Sequence, residues 1–198
     1  MKICFATNNE HKLEEVKQVI KFVGLNILSL QDVHCSEELP ETQNTLEDNS
    51  LQKAQYVFEK YSIPCFADDT GLEVEALKGA PGVYSARYAG MQRNSNDNID
   101  LLLKNMETEE NRNARFRTVI ALIGLAEAPT LFEGTIRGSI RRERKGSSGF
   151  GYDPVFVPQG YSTTFAEMTL DEKNKVSHRA IAVSKLERYL KQYLSHPK

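Results

Sequence analysis

Two adjacent acids, Asp68 and Asp69, follow the short apolar run Cys65–Phe66–Ala67 and precede Thr70–Gly71. Paired carboxylates at the end of a buried segment are costly to desolvate and repel each other unless a cation lies between or beside them. Such a pair suits a hard divalent ion such as magnesium, which takes oxygen ligands and keeps water positions open. It also suits a general base. The alternative is a turn in which one aspartate bonds its own backbone. Glu41, Glu47 and Asp48 lie upstream as candidate co-ligands.

Three further segments could meet an anion or a base. Thr7–Asn8–Asn9–Glu10–His11–Lys12 follows an apolar run and opens a helical pattern. A strand-to-helix turn aims backbone N–H groups at one point, and the helix dipole favours negative charge there. Simple capping of the helix by Asn8 or Asn9, with Lys12 solvated, is the other reading. Lys145–Gly146–Ser147–Ser148–Gly149–Phe150–Gly151–Tyr152–Asp153–Pro154 lets backbone approach a ligand, and Phe150 or Tyr152 offers a face for stacking. It is neither a Walker A loop nor a dinucleotide fingerprint, and a turn explains it equally well. Ser177–His178–Arg179, preceded by Lys173 and Lys175, suits an anion or a purine edge, or an ordinary helix start.

Other chemistries find no support. His11, His34, His178 and His196 lack zinc spacing. Cys4, Cys35 and Cys65 form no Cys-x-x-Cys pair and read as buried fillers in a reducing compartment. There is no nucleophile elbow. The basic stretch Arg137 to Lys145 reads mainly as a solvated loop leaning toward phosphates. With 25 basic and 27 acidic side chains, the net charge of −2 gives no global case for nucleic acid or an anionic membrane. The N-terminal apolar run is too short for a signal peptide, and no window approaches a membrane span. The expectation is a cytoplasmic protein.

The elements that must carry these residues follow from periodicity. Ile3–Ala6 reads as a buried strand. Leu13, Val16, Ile20 and Val23 then recur at helical spacing up to Gly24. Asn26–Leu30 is a second strand and residues 31–44 are irregular. Thr45 opens a helix with Leu51, Ala54, Val57, Phe58 and Tyr61 on its apolar side. Cys65–Ala67 is a short strand, and Leu72–Ala76 alternates as another. Ile99 to Met106 marks a third helix. Arg115–Leu125 and Thr130–Ile140 suit a hairpin. Thr169–Glu172 is a capping box, and a last helix from near Ser177 presents Val183, Leu186, Leu190 and Leu194. Helices alternate with strands early and hairpins fill the middle, which predicts an α/β or mixed-sheet domain.

Taken in order, these motifs resemble the inosine triphosphate pyrophosphatase family, also called XTP/dITP diphosphatases. The resemblance runs nearly end to end. It rests on Ala6–Thr7–Asn8–Asn9 with Lys12, on Leu39–Pro40–Glu41–Thr42, and on Thr45 through Asn49 to Lys53–Ala54. It continues with Ala67–Asp68–Asp69–Thr70–Gly71–Leu72, with Gly79 to Arg87, with Gly149 to Pro154 and with Ser177–His178–Arg179. Asn8 stands where glycine is common, Ser50 where alanine is common, and Pro40 where many members carry a second glutamate.

The resemblance implies an elongated mixed β-sheet flanked by helices, with two lobes around a central substrate cleft, in one domain spanning residues 1–198. It implies a homodimer that hydrolyses ITP, dITP and XTP to the monophosphate and pyrophosphate. By resemblance, Thr7, Asn8, Asn9, Glu10, His11 and Lys12 hold the triphosphate. Glu41 and Asp69 match the Mg2+ ligands, and Asp69 also matches the proton acceptor. Lys53, Thr70, Phe150, Gly151, Tyr152, Asp153, Lys173, His178 and Arg179 match substrate-binding positions. On this reading His178 or Arg179 donates to a 6-keto purine edge and Phe150 stacks on the base. A relative acting on modified pyrimidine triphosphates, and a module that senses ITP without cleaving it, are the rival readings.

Overall fold

Alternation along the first strand decides the layering. In a computed structural model that describes residues 1–195, β1 (Lys2–Phe5) sends Ile3 and Phe5 to one apolar cluster. Cys4 and the following Ala6 go to another. Successive strand side chains point to opposite faces, so one apolar run feeds two cores. His196 lies outside the described residues.

The elements continue as α1 (Glu10–Val19), β2 (Asn26–Leu28), α2 (Leu46–Tyr61), β3 (Cys65–Val74), β4 (Pro81–Gly82), α3 (Ser95–Asn105), β5 (Asn113–Ile123), β6 (Thr130–Ile140), β7 (Phe156–Pro158), α4 (Leu170–Val176) and α5 (His178–Ser195). The strands form a seven-stranded sheet in the order β2-β1-β3-β5-β6-β7, with β4 on β3. β1 runs parallel to β2 and β3, while β3–β4 and β6–β7 are antiparallel. The sheet is therefore mixed and flanked by helices, as expected.

The chain forms two compact units. The first comprises residues 1–69, 118–134 and the chain from 179. On one side of its strands, Phe5 stacks on Phe66 with centroids 4.7 Å apart, among Val16, Val183, Leu186 and Leu190. On the other side, Ala54 and Val57 of α2 cover Cys4, Cys65 and Ala67. All three cysteines are buried there and free, and burial pushes the Cys4 thiol up to about 12. The second unit comprises 70–117 and 135–178. Its core gathers Leu72, Val74, Ile99, Leu102, Phe116 and Phe156.

Two expectations are corrected. Val23 is fully exposed, because α1 ends at Val19 with Ile20 as its cap and Gly24 turns at φ +95 toward β2. Cys65–Ala67 and Leu72–Ala76 are not two strands around a turn. One ten-residue strand, β3, runs from Cys65 to Val74 and carries Asp68 and Asp69 within it, and Glu75 and Ala76 lie beyond its end. Gly71 makes this continuity feasible: a Cβ there would lie 2.7 Å from the carbonyl oxygen of Gly82 on β4. Backbone cannot yield as a flexible side chain does. Gly71→Ala is expected to lower the unfolding free energy by about 1–3 kcal/mol. The check is a urea titration, and an unmoved midpoint would show that β4 gives way freely.

Candidate active site

β3 delivers its two aspartates to different surroundings by the same alternation that sorts Phe66 from Ala67. Asp68 is buried and meets Lys12 Nζ at 3.1 Å. Arg179 Nε and Nη2 reach its Oδ2 at 3.3 Å, and Arg179 Nη1 also donates to Glu15. Asp69 meets a separate set. Its Oδ1 lies 3.7 Å from Lys53 Nζ, and its Oδ2 accepts from Asn49 Nδ2 at 3.1 Å. Lys53 Nζ also donates to Glu41 Oε1 at 2.6 Å. Two carboxylates from distant segments thus face one ammonium. Each aspartate has a cation beside it, Lys12 and Arg179 for Asp68 and Lys53 for Asp69, and the remaining repulsion still raises Asp69.

These groups shift each other's titration. Burial alone would raise Asp68, but Lys12 and Arg179 outweigh it and hold the carboxyl well below the usual range. Burial raises Asp69; Lys53 and Lys12 oppose the shift while Glu41 and Asp68 add to it. Burial would lower Lys53, yet Asp69 and Glu41 win and raise it. Burial lowers Lys12 against the pull of Asp68.

The local sequence explains how each group arrives. Thr7 Oγ1 accepts from the Asn9 amide at 3.2 Å, and Asn9 Oδ1 caps α1 by accepting from the Lys12 amide at 3.2 Å. Lys12 and Glu15 stand one turn apart on α1, which sets both beside Arg179 and Asp68. Asn8 is not among the left-handed residues, so this turn does not require glycine. Glu10 and His11 occupy the exposed first turn of α1. The buried stripe of α2 opens with Leu46, turns polar at Asn49, Ser50 and Lys53, and is apolar again at Ala54 and Val57. Thr45 caps this helix and Asp48 bonds it at 2.7 Å, so Asp48 is spent there rather than beside Glu41. Thr70 follows Asp69 in β3 and is half-buried.

A second cluster lies within the second unit. Asp153 is buried, accepts from the Phe150 amide at 2.9 Å and pairs with Lys173 Nζ at 2.7 Å. Gly149, at φ +75, is required because a Cβ would meet Asp153 Oδ2 at 2.1 Å. Gly151 also turns at positive φ. Lys173 Nζ stands 4.8 Å from the centre of the Phe150 ring, within cation–π reach. Tyr152 differs from expectation: it is a core residue whose hydroxyl donates to the Ser85 carbonyl at 2.9 Å. That leaves Phe150 as the half-exposed aromatic of the loop. His178 is buried and stacks on Phe116 with centroids 4.5 Å apart.

Arg142, Arg144 and Lys145 pair with Glu110, Asp100 and Glu167 of their own unit. Arg179, expected to present an open fork, is pinned by Glu15 and Asp68 at 2 % exposure. Sequence reasoning missed Glu15 and Asn49. Their signal was helical spacing, three residues from Lys12 and four from Lys53. A groove of about 730 Å³ in the second unit is lined by Glu73, Arg115, Arg137 and Tyr161, and holds none of the expected site residues.

Among the described residues, no three His, Cys, Asp or Glu side chains gather to hold a metal. Glu41 and Asp69 share the ammonium of Lys53, as Glu15 and Asp68 share the guanidinium of Arg179. Two carboxylates fit magnesium, which completes its shell with water and substrate phosphates rather than an all-protein cage.

The sequence model of the Ham1 family matches residues 3–189. The chain belongs to the Ham1 family. It is 50 % identical over 186 residues to a dITP/XTP pyrophosphatase of Flavobacterium psychrophilum, covering 94 % of this chain and 97 % of that one. The solved Ham1 protein of Staphylococcus aureus superposes with a TM-score of 0.88 at 33 % identity, covering 97 % of this chain and 99 % of that one. A nucleoside-triphosphatase, dITP/XTP pyrophosphatase, of Mycobacterium abscessus gives 0.76 at 42 % identity, covering 94 % and 98 %. As a Ham1 member the chain therefore keeps its fold over nearly its whole length. No helix among its described residues is long and apolar enough to cross a membrane.

Acid should expose the Asp68 pairs. An unfolded aspartate titrates near ~4. Folded Asp68 lies below that value, so its ionised form stabilises the fold above ~4, and this contribution is lost as pH falls toward the folded value. Asp68→Asn should be less stable than the parent at neutral pH and lose less further stability between roughly pH 5 and pH 2. Equal acid slopes in melts of the two proteins would locate acid sensitivity elsewhere.

Proposed function

We propose that this chain hydrolyses non-standard purine nucleoside triphosphates, ITP, dITP and XTP, to the monophosphate and pyrophosphate. The purine class comes from relatives that bear the name dITP/XTP pyrophosphatase. The observation that carries the chemistry is that Glu41 and Asp69, from separate segments, face the single ammonium of Lys53. Removing such nucleotides keeps them out of DNA and RNA. The family resemblance further implies a cytoplasmic homodimer.

Magnesium held by Glu41 and Asp69 would supply charge neutralisation between the phosphates and a template for them. The remaining work falls to side chains. Asp69 accepts the proton of a water that attacks the α-phosphorus. The bond from the α-phosphorus to the bridging oxygen breaks, and pyrophosphate leaves with that electron pair. Lys12, Lys53 and Lys173 offset phosphate charge, and the turn from Thr7 to His11 contributes N–H groups. Catalysis of this sort is mostly positioning and electrostatics.

For the base, Phe150 stacks, with Gly151, Tyr152 and Asp153 shaping its loop. His178 donates to a 6-keto oxygen, while Arg179 stays bound to Glu15 and Asp68. Adenine carries a donor amine there and leaves a donor unpaired, a penalty of about 1–3 kcal/mol.

The direct test is pyrophosphate release from ITP, with ATP and pyrimidine triphosphates in parallel. Turnover should require magnesium and vanish with a chelator. Asp69→Asn should lower kcat by about 10²–10⁴-fold with an unchanged circular dichroism spectrum. Turnover of ITP at full rate by that variant, or without any divalent ion, would remove the proposed chemistry.

A further inference from the structure

Asn49, Gln52 and Lys53 lie at neighbouring positions on one face of α2. They meet three consecutive residues of the preceding irregular segment in reverse order. Asn49 Oδ1 accepts from the Gln43 amide at 2.9 Å. Gln52 Oε1 accepts from the Thr42 amide at 3.0 Å, and its Nε2 donates to Thr42 Oγ1 at 2.8 Å. Lys53 Nζ donates to Glu41 Oε1 at 2.6 Å. The helix face is thus a template for the segment that carries Glu41.

Asn49, like Lys53, also reaches β3, but it does so as a neutral group. Its Nδ2 donates to Asp69 Oδ2 at 3.1 Å, so one carboxamide joins the Glu41 segment to β3. The orientation is forced: a backbone N–H can only donate, so Gln43 claims the oxygen end and Asp69 receives the NH₂ end. The group is 1 % exposed, where an unsatisfied amide would be costly. Helix capping does not explain it, because Thr45 already caps α2 by accepting from the Asp48 amide. A neutral donor restrains the rotation of a carboxylate without adding the charge that a second lysine would bring.

We propose that Asn49 is a positioning residue for the reaction: its carboxamide sets the rotation of the Asp69 carboxylate and the seat of the Glu41 segment together. This rests on Asp69 being the base, as proposed above. Partners of this kind typically matter 10–100-fold (roughly) in activity.

The test is steady-state hydrolysis of ITP by the full chain at saturating magnesium, with thermal melts of each variant. Asn49→Ala should lower kcat by roughly 10–100-fold with KM within about twofold. Asn49→Asp keeps an acceptor for the Gln43 amide but presents no donor to Asp69, so its kcat should fall as far. Gln52→Ala, which loosens the segment without touching Asp69, should lose less. If either Asn49 variant is unfolded at the assay temperature, Asn49→Ser, too short to reach both partners, takes its place. Asn49→Asp turning over like the parent, or Asn49 variants changed only in KM, would overturn the proposal. Asp69→Asn separates the two readings. If it stays active, the role of Asp69 fails. If it is inactive while folded Asn49 variants keep full kcat, the positioning role alone fails.

Discussion

Two adjacent aspartates can both be buried and charged only if they do not face each other. A strand satisfies that condition and a turn does not, because successive strand side chains point to opposite faces. Once Asp68 and Asp69 belong to β3, one carboxylate faces α1 and α5 and the other faces α2. Everything else in the first unit's charged cluster follows from that division. Lys12, Glu15 and Arg179 serve Asp68, whereas Lys53, Asn49 and Glu41 serve Asp69.

Compared with apolar packing, such groups add little net stability, although removing one partner is costly. Desolvating a carboxylate and an ammonium costs several kcal/mol each, and their attraction roughly repays it when geometry is good. An apolar replacement of similar volume would often fold as well or better. What the ion pairs provide is a fixed arrangement of charge: Asp68 is held as an anion, while burial raises Asp69 against the opposing pull of Lys53. The apolar clusters behind them, Phe5 and Phe66 on one side and Ala54 and Val57 on the other, keep the strand ends from moving.

Much of this was legible beforehand. The opening strand, the Thr45 cap, the long helix after it and the Thr169–Glu172 capping box are local signals, and local signals survive folding. Asp68 and Asp69 stood out because adjacent acids are expensive to bury, Lys12 and Lys173 because they lie at helix starts, and Lys53 through the family resemblance. The misses have a common cause. Asp68–Asp69–Thr70–Gly71 reads as a turn from composition, but pairing with β4 and the close approach of Gly82 extend the strand through it. Helical spacing sets Glu15 beside Lys12, but its partner Arg179 lies 164 residues away along the chain, which no periodicity reports. Tyr152 looked like a stacking face until Ser85 claimed its hydroxyl.

The central claim is that Glu41 and Asp69 jointly bind one divalent ion. Manganese soaked into crystals with a non-hydrolysable inosine triphosphate analogue gives an anomalous signal that locates it. The predicted peak lies about 2.0–2.3 Å from a carboxylate oxygen of both residues. A peak bound by Asp68 instead, or by one of the two without the other, would contradict it.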